Sequence, residues 1–397
     1  MTFFLLPKLL NTIMPDMINI LFEKEEKQDN EGISKSLKFY LNSMKKKIDD
    51  INSEWDIYKK YTNPFEYIHS IISNQQKISI SKLKPLSRSF YKMIEIYSIF
   101  NLSDEFQNNI KSFHLAEGPG GFIEAFIFLR KNISDQYYGM TLISEDQNIP
   151  SWKKSKMFLQ KHNNVEIEYG IDQTGNLLSK ENLLYCLERY NNSMDIITGD
   201  GGFDFSIDFN KQEECSISLI FAQISFAIAM QKINGCFILK MFDLFTEASL
   251  DLLYLLCSCY EKVYIVKPNT SRFANSEKYI VCKNFKLTNS KDIVLKLSSF
   301  YHGINSGKTI KKILNIEIPY LFKNRLEELN AIFGQQQIEN INSTFNLIEN
   351  NNYDKIELYK RNNINKSVTW CQKYNIPCNK HLLLTNTDIN DNNFLEL

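Results

Sequence analysis

The sequence predicts an α/β domain built on a largely parallel sheet, with a helical region on either side of it. Three observations carry this. From about residue 110, short runs rich in β-forming residues alternate with segments at helical spacing. Before residue 80 and beyond residue 300 the apolar spacing is helical. The densest glycine cluster, Gly118 to Gly121, stands between an apolar run and a helical segment, where a strand turns into a helix. A chain of 397 residues, 43% hydrophobic and 23% charged, has ample material for a core and excludes collagenous or wholly disordered classes.

The N-terminal stretch Met1 to Phe22 is apolar, but Pro7, Lys8, Pro15 and Asp16 interrupt it short of the roughly 18–20 residues a membrane span needs. It also lacks a small-residue cleavage site after a basic start, and it reads as a segment that docks on the core. After the mixed-charge stretch Glu23 to Glu31, Leu37, Leu41, Met44, Ile48, Ile51, Trp55 and Tyr58 recur at steps of four and three. That is the stripe of an amphipathic helix, ended by Pro64. Residues 1–80 are thus expected to form a helical N-terminal region.

Residues 81–290 are expected to hold the α/β domain. Its strands are expected at Ser112–Ala116, Tyr137–Ile143, Val165–Tyr169, Met194–Thr198, Cys236–Met241, Val263–Val266 and Tyr279–Cys282. Helical spacing falls at Phe122–Arg130, Ser216–Lys232 and Ala248–Cys259. A loop alone separates the last two strands, which suits an antiparallel partner. Residues 291–397 are expected to be a helical C-terminal region, with helical spacing at Ile310–Ile316 and Leu321–Ile332 and a polar tail, Thr385–Leu397, that frays.

Lysine plus arginine equals aspartate plus glutamate at 46 each, so nothing here is a generic polycation. Any nucleic-acid contact has to come from local patches. Two are visible: Lys82, Lys84, Arg88 and Lys92 stand without an intervening acid, and Lys267, Arg272 and Lys278 flank Glu277. Lys45 to Lys47 read better as a solvated helix face. Tyr91, Phe203 and Phe273 are either base-stacking groups or core. The eight cysteines are scattered with no C-x-x-C pair, so no metal site is expected; reduced, mostly buried thiols and an intracellular setting are.

Glycines at Gly118-Pro119-Gly120-Gly121 let the backbone turn tightly and approach a ligand, and the helix that follows offers unpaired N–H groups. The spacing is neither the dinucleotide fingerprint nor a phosphate loop. Charged residues also stand at the ends of apolar runs: Asp200 after Met194–Thr198, Lys240 after Gly235–Leu239, and Glu277 just before the last strand. Lys92 lies upstream on an expected helix. Taken singly, each has an ordinary reading as a turn former, a strand-end lysine or a surface charge.

Taken together they form an ordered set. S-R-x-x-Y-K at Ser87–Lys92, H-L-A-E-G-P-G-G-F-I-E-A at His114–Ala125, G-D-G-G-F-D-F at Gly199–Phe205, L-K-M-F at Leu239–Phe242 and V-K-P-N-T-S-R-x-x-N-S-E-K-Y-I-V at Val266–Val281 follow one another. This resembles the FtsJ-like (RrmJ-type) RNA 2′-O-methyltransferases, and within them the Adrift-type cap-specific mRNA enzymes of eukaryotes and large cytoplasmic DNA viruses. The resemblance covers about residues 80–286; the flanks carry none.

It implies a Rossmann-like class I methyltransferase sheet with helices on both faces, S-adenosyl-L-methionine as cofactor, and capped mRNA as partner, together with capping or transcription machinery. The implied reaction is methyl transfer to a ribose 2′-hydroxyl near the 5′ end. The family's Lys-Asp-Lys-Glu tetrad falls on Lys92, Asp200, Lys240 and Glu277. Lys240 is then the general base, Asp200 orients it, and Glu277 holds Lys92 and helps place the ribose. Glu117, Gly118, Pro119, Gly120, Gly121 and Phe122 would wrap the methionine and ribose of the cofactor, and Asp172 would accept from the adenine amine. Lys84, Arg88, Lys267 and Arg272 are the expected RNA contacts. Many relatives have aspartate at the position of His114, while some Adrift-type members have histidine. The acid after the second strand is either Glu145 or Asp146. Two alternatives stay open: a ribosomal or other structured-RNA 2′-O-methyltransferase, and a catalytically silent subunit that keeps the fold. The isoleucine, asparagine and lysine bias, joined to the resemblance, suggests a virus and a protein of host cytoplasm or virion.

Overall fold

The computed structural model describes residues 3–23, 32–72, 78–146, 149–202 and 209–380. Phe203, Asp204, most of the Glu23–Glu31 stretch and the tail Thr385–Leu397 lie outside the described residues. The strands are β1 (Phe3–Leu5), β2 (Ile18–Glu23), β3 (Lys111–Leu115), β4 (Gln136–Met140), β5 (Val165–Ile167), β6 (Met194–Gly199), β7 (Gln231–Met241), β8 (Tyr260–Val266), β9 (Lys278–Phe285) and β10 (Thr309–Leu314). Eight form one sheet in the order β1-β8-β9-β7-β6-β3-β4-β5. The pairs from β7 through β6 and β3 to β5 are parallel; β9 runs antiparallel between β7 and β8, and β1 runs antiparallel to β8.

The central strands are apolar on both faces because helices cover both. Side chains alternate along a strand. Phe237 and Leu239 of β7 pack with helices Lys180–Tyr190, Gln212–Met230 and Glu247–Cys259, whereas Ile238 packs with helices Ser89–Ile99, Gly121–Arg130 and Tyr353–Lys373. Helix Gln212–Met230 is apolar nearly all round. By length and composition it could cross a membrane, but 78% of its apolar window is buried inside the protein. From β3 the chain runs outward to β4 and β5, then returns to β6 on the other side of β3. In open sheets of this kind such a reversal is where ligands bind, here beyond the carboxyl ends of β3 and β6.

The flanks differ from expectation in three ways. The N-terminal region is not purely helical, because β1 joins the main sheet and β2 pairs with β10. Its long stripe is two helices, Lys35–Asp49 and Asn52–Thr62. Ile310–Ile316, read as helical, contributes β10, since its pairing partner is a strand near the other end of the chain. The two flanks also pack together: Met44, Ile48 and Trp55 form a cluster with Ile341 of helix Tyr320–Asn350. Thr62 and Thr344 hydroxyls lie 2.7 Å apart.

Candidate active site

Helix Ser89–Ile99 carries Lys92 on the face toward the sheet, leaving only 7% of the residue exposed. A buried ammonium needs an anion. It has one in Glu277, at 2.7 Å from Oε1 and 2.8 Å from Oε2, and Ser271 Oγ donates to Glu277 Oε1 at 2.6 Å. Burial alone would raise the Glu277 carboxyl, but the ammonium groups of Lys92 and Lys240 outweigh it and hold that carboxyl well below the usual carboxylate range. Burial pushes Lys92 down, and the Glu277 carboxylate works against that shift. The pair is therefore ionised.

Lys240, near the end of β7, donates to the Asp200 carbonyl at 2.7 Å and lies 3.3 Å from Asp200 Oδ1. Tyr279 joins the two pairs. Its hydroxyl donates to Asp200 Oδ1 at 2.8 Å, and Lys92 Nζ stands 5.8 Å from the centre of its ring. The four charged residues singled out in the sequence thus meet at the carboxyl ends of β6 and β7. Tyr279, Ser271 and Gln223, whose Oε1 accepts from Gly201 N–H at 3.1 Å, were missed. The first two lie within the quoted V-K-P-N-T-S-R motif, where they read as strand and loop.

Next to this cluster, beyond β3, lies the glycine turn. Gly118-Pro119 is cis, and Gly120 takes φ +103°, a left-handed conformation that favours glycine. Glu117 is 4% exposed; its Oε1 accepts from Phe122 N–H at 2.5 Å, while Oε2 is buried without a partner. Burial, with the Asp200 charge, pushes its carboxyl well above the usual range. Thr141, just after β4, packs between this turn and the loop of Asp172. A β-carbon at Gly118 would lie 3.0 Å from Thr141 Cγ2, and one at Gly175 only 2.1 Å from the Thr141 carbonyl oxygen. Asp172 is exposed, and its Oδ1 accepts from Thr174 N–H, Thr174 Oγ1 and Asn182 Nδ2 at 2.9, 2.7 and 2.9 Å. His114 is not part of the lining. It is wholly buried in β3, 2.8 Å from Ser112 Oγ and 2.8 Å from Thr198 Oγ1, and burial pushes it down to about 3, so it stays neutral.

The expected RNA contacts separate. Lys84 is exposed, as is Lys82. Arg88 is half-buried and donates to the Thr270 carbonyl at 3.0 Å. Lys267 has to be corrected: it is 7% exposed and donates to the carbonyls of Asn275 and Glu277, because the loop closes over its ammonium. Burial pushes it down to about 7. Arg272 is likewise turned inward, onto Glu66. Lys45, read as solvated, is buried and paired with Asp243 at 2.7 Å. Tyr91 is core at 1% exposure, and Phe273 is half-buried. Among the described residues, no three His, Cys, Asp or Glu side chains come together as metal ligands.

A mixed sheet with a strand reversal, helices on both faces and a glycine turn after β3 has the arrangement of a methyltransferase fold, and the sequence comparison agrees. Residues 85–285 match the FtsJ-like methyltransferase family, and the chain belongs to that family. It is similar to the cap-specific mRNA (nucleoside-2′-O-)-methyltransferase 2 of Danio rerio, 28% identical over 340 residues, covering 79% of this chain and 43% of that protein. The same-named protein of Pongo abelii is 29% identical over 378 residues, 88% of this chain and 46% of that protein. The cap-specific mRNA (nucleoside-2′-O-)-methyltransferase 1 of Drosophila melanogaster is 34% identical over 173 residues, 43% of this chain and 21% of that protein. The chain spans less than half the length of these relatives.

Proposed function

We propose that this chain transfers a methyl group from S-adenosyl-L-methionine to a ribose 2′-hydroxyl near the 5′ end of capped mRNA. The observation that carries the reading is the meeting of Lys240–Asp200 with the buried Lys92–Glu277 pair, beside the glycine turn. The names of the relatives supply the substrate class. When bound, S-adenosylmethionine supplies an electrophilic methyl group on a sulfonium.

The residues present fit that cofactor. Glu117 Oε2 is a buried polar atom without a protein partner, beside the turn that opens helix Gly121–Arg130. Gly118 to Phe122 would hold the methionine and ribose end, and Asp172, across Thr141, the adenine end. Lys240 Nζ takes the proton of the ribose hydroxyl in its neutral amine form, and Asp200 orients it. Lys92, fixed by Glu277, holds the ribose in line for attack. The buried thiols of Cys186, Cys236, Cys257, Cys259, Cys282 and Cys371 support a reducing, intracellular setting.

Transfer of labelled methyl onto capped and uncapped transcripts of one sequence tests the reading. Capped RNA is expected to be methylated at least tenfold faster; equal rates would favour a structured-RNA substrate instead. Gly175→Ala tests the cofactor side. Its φ of +65° and the 2.1 Å approach to a backbone oxygen mean that the loop of Asp172 must move. Calorimetry with S-adenosylhomocysteine is expected to show tenfold weaker binding, and unchanged affinity would contradict the assigned cofactor site.

For the RNA path, the exposed lysines are Lys82 and Lys84, joined by Lys153 and Lys154 beside Trp152, whose ring packs near Gly120. Changing these four to glutamate is expected to weaken capped-RNA binding at least tenfold. The slope of log affinity against log salt should flatten by about 0.7 per lost phosphate contact. An unchanged slope would remove these lysines from the path.

A further inference from the structure

The family match ends at residue 285 and begins at 85, yet the loop that presents Glu277 is held from outside that span. This loop, residues 267–277, joins β8 to β9. From the N-terminal flank, Glu66, 0% exposed, accepts from Arg272 Nε at 3.0 Å and from Nη2 at 2.6 Å. From the C-terminal flank, Gln337 Nε2 donates to the Ala274 carbonyl at 2.8 Å. Trp370 Nε1 donates at 3.0 Å to Glu95, the carboxylate that also accepts the backbone N–H groups of Asn269 and Thr270, each at 2.8 Å. Within the loop, Lys267 ties down the carbonyls of Asn275 and Glu277.

Glu66 is the firm end of the first of these ties. It also accepts from Asn63 Nδ2 at 2.6 Å and from Ser70 Oγ at 2.8 Å, so its place is set within its own segment. The long, otherwise adaptable side chain of Arg272 takes its position from it, through a two-point pair that fixes orientation as well as distance. Five residues further on comes Glu277, which has to meet Lys92 within hydrogen-bond reach. A misplacement of about 1 Å among reacting groups can cost on the order of 100-fold in rate.

We infer that Glu66 is a positioning residue for methyl transfer: through Arg272 it sets the 267–277 loop so that Glu277 holds Lys92 beside the reacting ribose. The inference rests on the function proposed above. It gives the flanking regions a task in the reaction: they brace the loop that carries Glu277.

The test uses the full chain with Glu66→Gln, which keeps the size of the side chain and removes its charge, and Arg272→Lys, which keeps the charge and removes the fork. In Glu66→Gln, kcat is expected to fall at least tenfold, with S-adenosylhomocysteine affinity within twofold of wild type. Amide hydrogen exchange should speed up across residues 269–276 and stay unchanged in helix Gln212–Met230. Arg272→Lys should give an intermediate kcat. Adding Glu66→Gln to Glu277→Gln should cost little further, because both act at one point. Unchanged kcat with unchanged loop exchange overturns the inference. So does faster exchange throughout the protein, which would make Glu66 a general stabiliser. If the wild-type chain transfers no methyl group, the functional reading fails, while loop exchange in Glu66→Gln still decides whether Glu66 braces the loop.

Discussion

Lys240→Ala is expected to lose about 10²–10⁴-fold in methyl transfer, the range that a positioned general base contributes. Its ammonium lies 2.7 Å from the Asp200 carbonyl and 3.3 Å from Oδ1, at the carboxyl end of β7, and the substitution leaves the glycine turn beyond β3 untouched. Affinity for S-adenosylhomocysteine should therefore hold within a few-fold, so the defect appears in kcat. The Lys240 side chain is 12% exposed and pairs with an acid that is itself bonded by Tyr279, so a modest loss of stability is expected alongside. Single-turnover transfer at saturating RNA and cofactor, with calorimetry for the ligand, separates the effects. Transfer at the wild-type rate would remove Lys240 from the chemistry and favour a silent, fold-retaining subunit.

Lys92→Met is expected to destabilise the protein by about 3–5 kcal/mol at pH 7, the usual result of removing one partner from a buried ion pair. Methionine fills nearly the same space, so the effect is electrostatic. The side chains of Lys92 and Glu277 are only 9% and 12% exposed, which limits solvent screening. The pH dependence gives the sign. In the wild type the folded carboxyl of Glu277 lies below its ordinary value of 4.5; its ionised form stabilises the protein above about pH 4.5, and this stabilisation is lost as pH falls toward the folded value. Without Lys92, burial is opposed mainly by Lys240 and Ser271, and the variant gains less from ionising Glu277. The stability gap between wild type and variant should be widest at neutral pH and should narrow below about pH 4. Urea unfolding at pH 7 and pH 3.5 measures both gaps; a gap below 1 kcal/mol, or one that widens in acid, would contradict the buried-pair description.

How much of this was visible beforehand depends on the range of the interactions. Strands β3, β4, β6, β7, β8 and β9 could be read from apolar runs because burial on both faces leaves an uninterrupted signature, with bounds differing by a few residues. β1, β2 and β10 could not. They are three to six residues long, and β2 and β10 find each other across most of the chain, so no local period marks them as strands, and that of Ile310–Ile316 reads as helical. In the site, Asp200, Lys240 and Glu277 stood out as charges at the edges of apolar runs and Lys92 through its place in the ordered motifs, and burial beside opposite charge accounts for them. Lys267 and Arg272 looked just as basic, yet they are spent on carbonyls and on Glu66. A sequence does not distinguish an inward cation from an outward one until its partner is known. For the same reason nothing local in the sequence marks Glu66 or Glu95.

The most direct measurement is the position of the transferred methyl group. Capped RNA incubated with this chain and methyl-labelled S-adenosylmethionine, then digested to nucleosides, should yield label in a 2′-O-methylated nucleoside from the 5′ end. Wild-type and Lys240→Ala proteins are run in parallel. The expected result is that this product forms with the wild type and is nearly absent with the variant. Label on a base or the cap guanine, or equal ribose labelling by both proteins, would contradict the assignment of the four charged residues to a sugar hydroxyl.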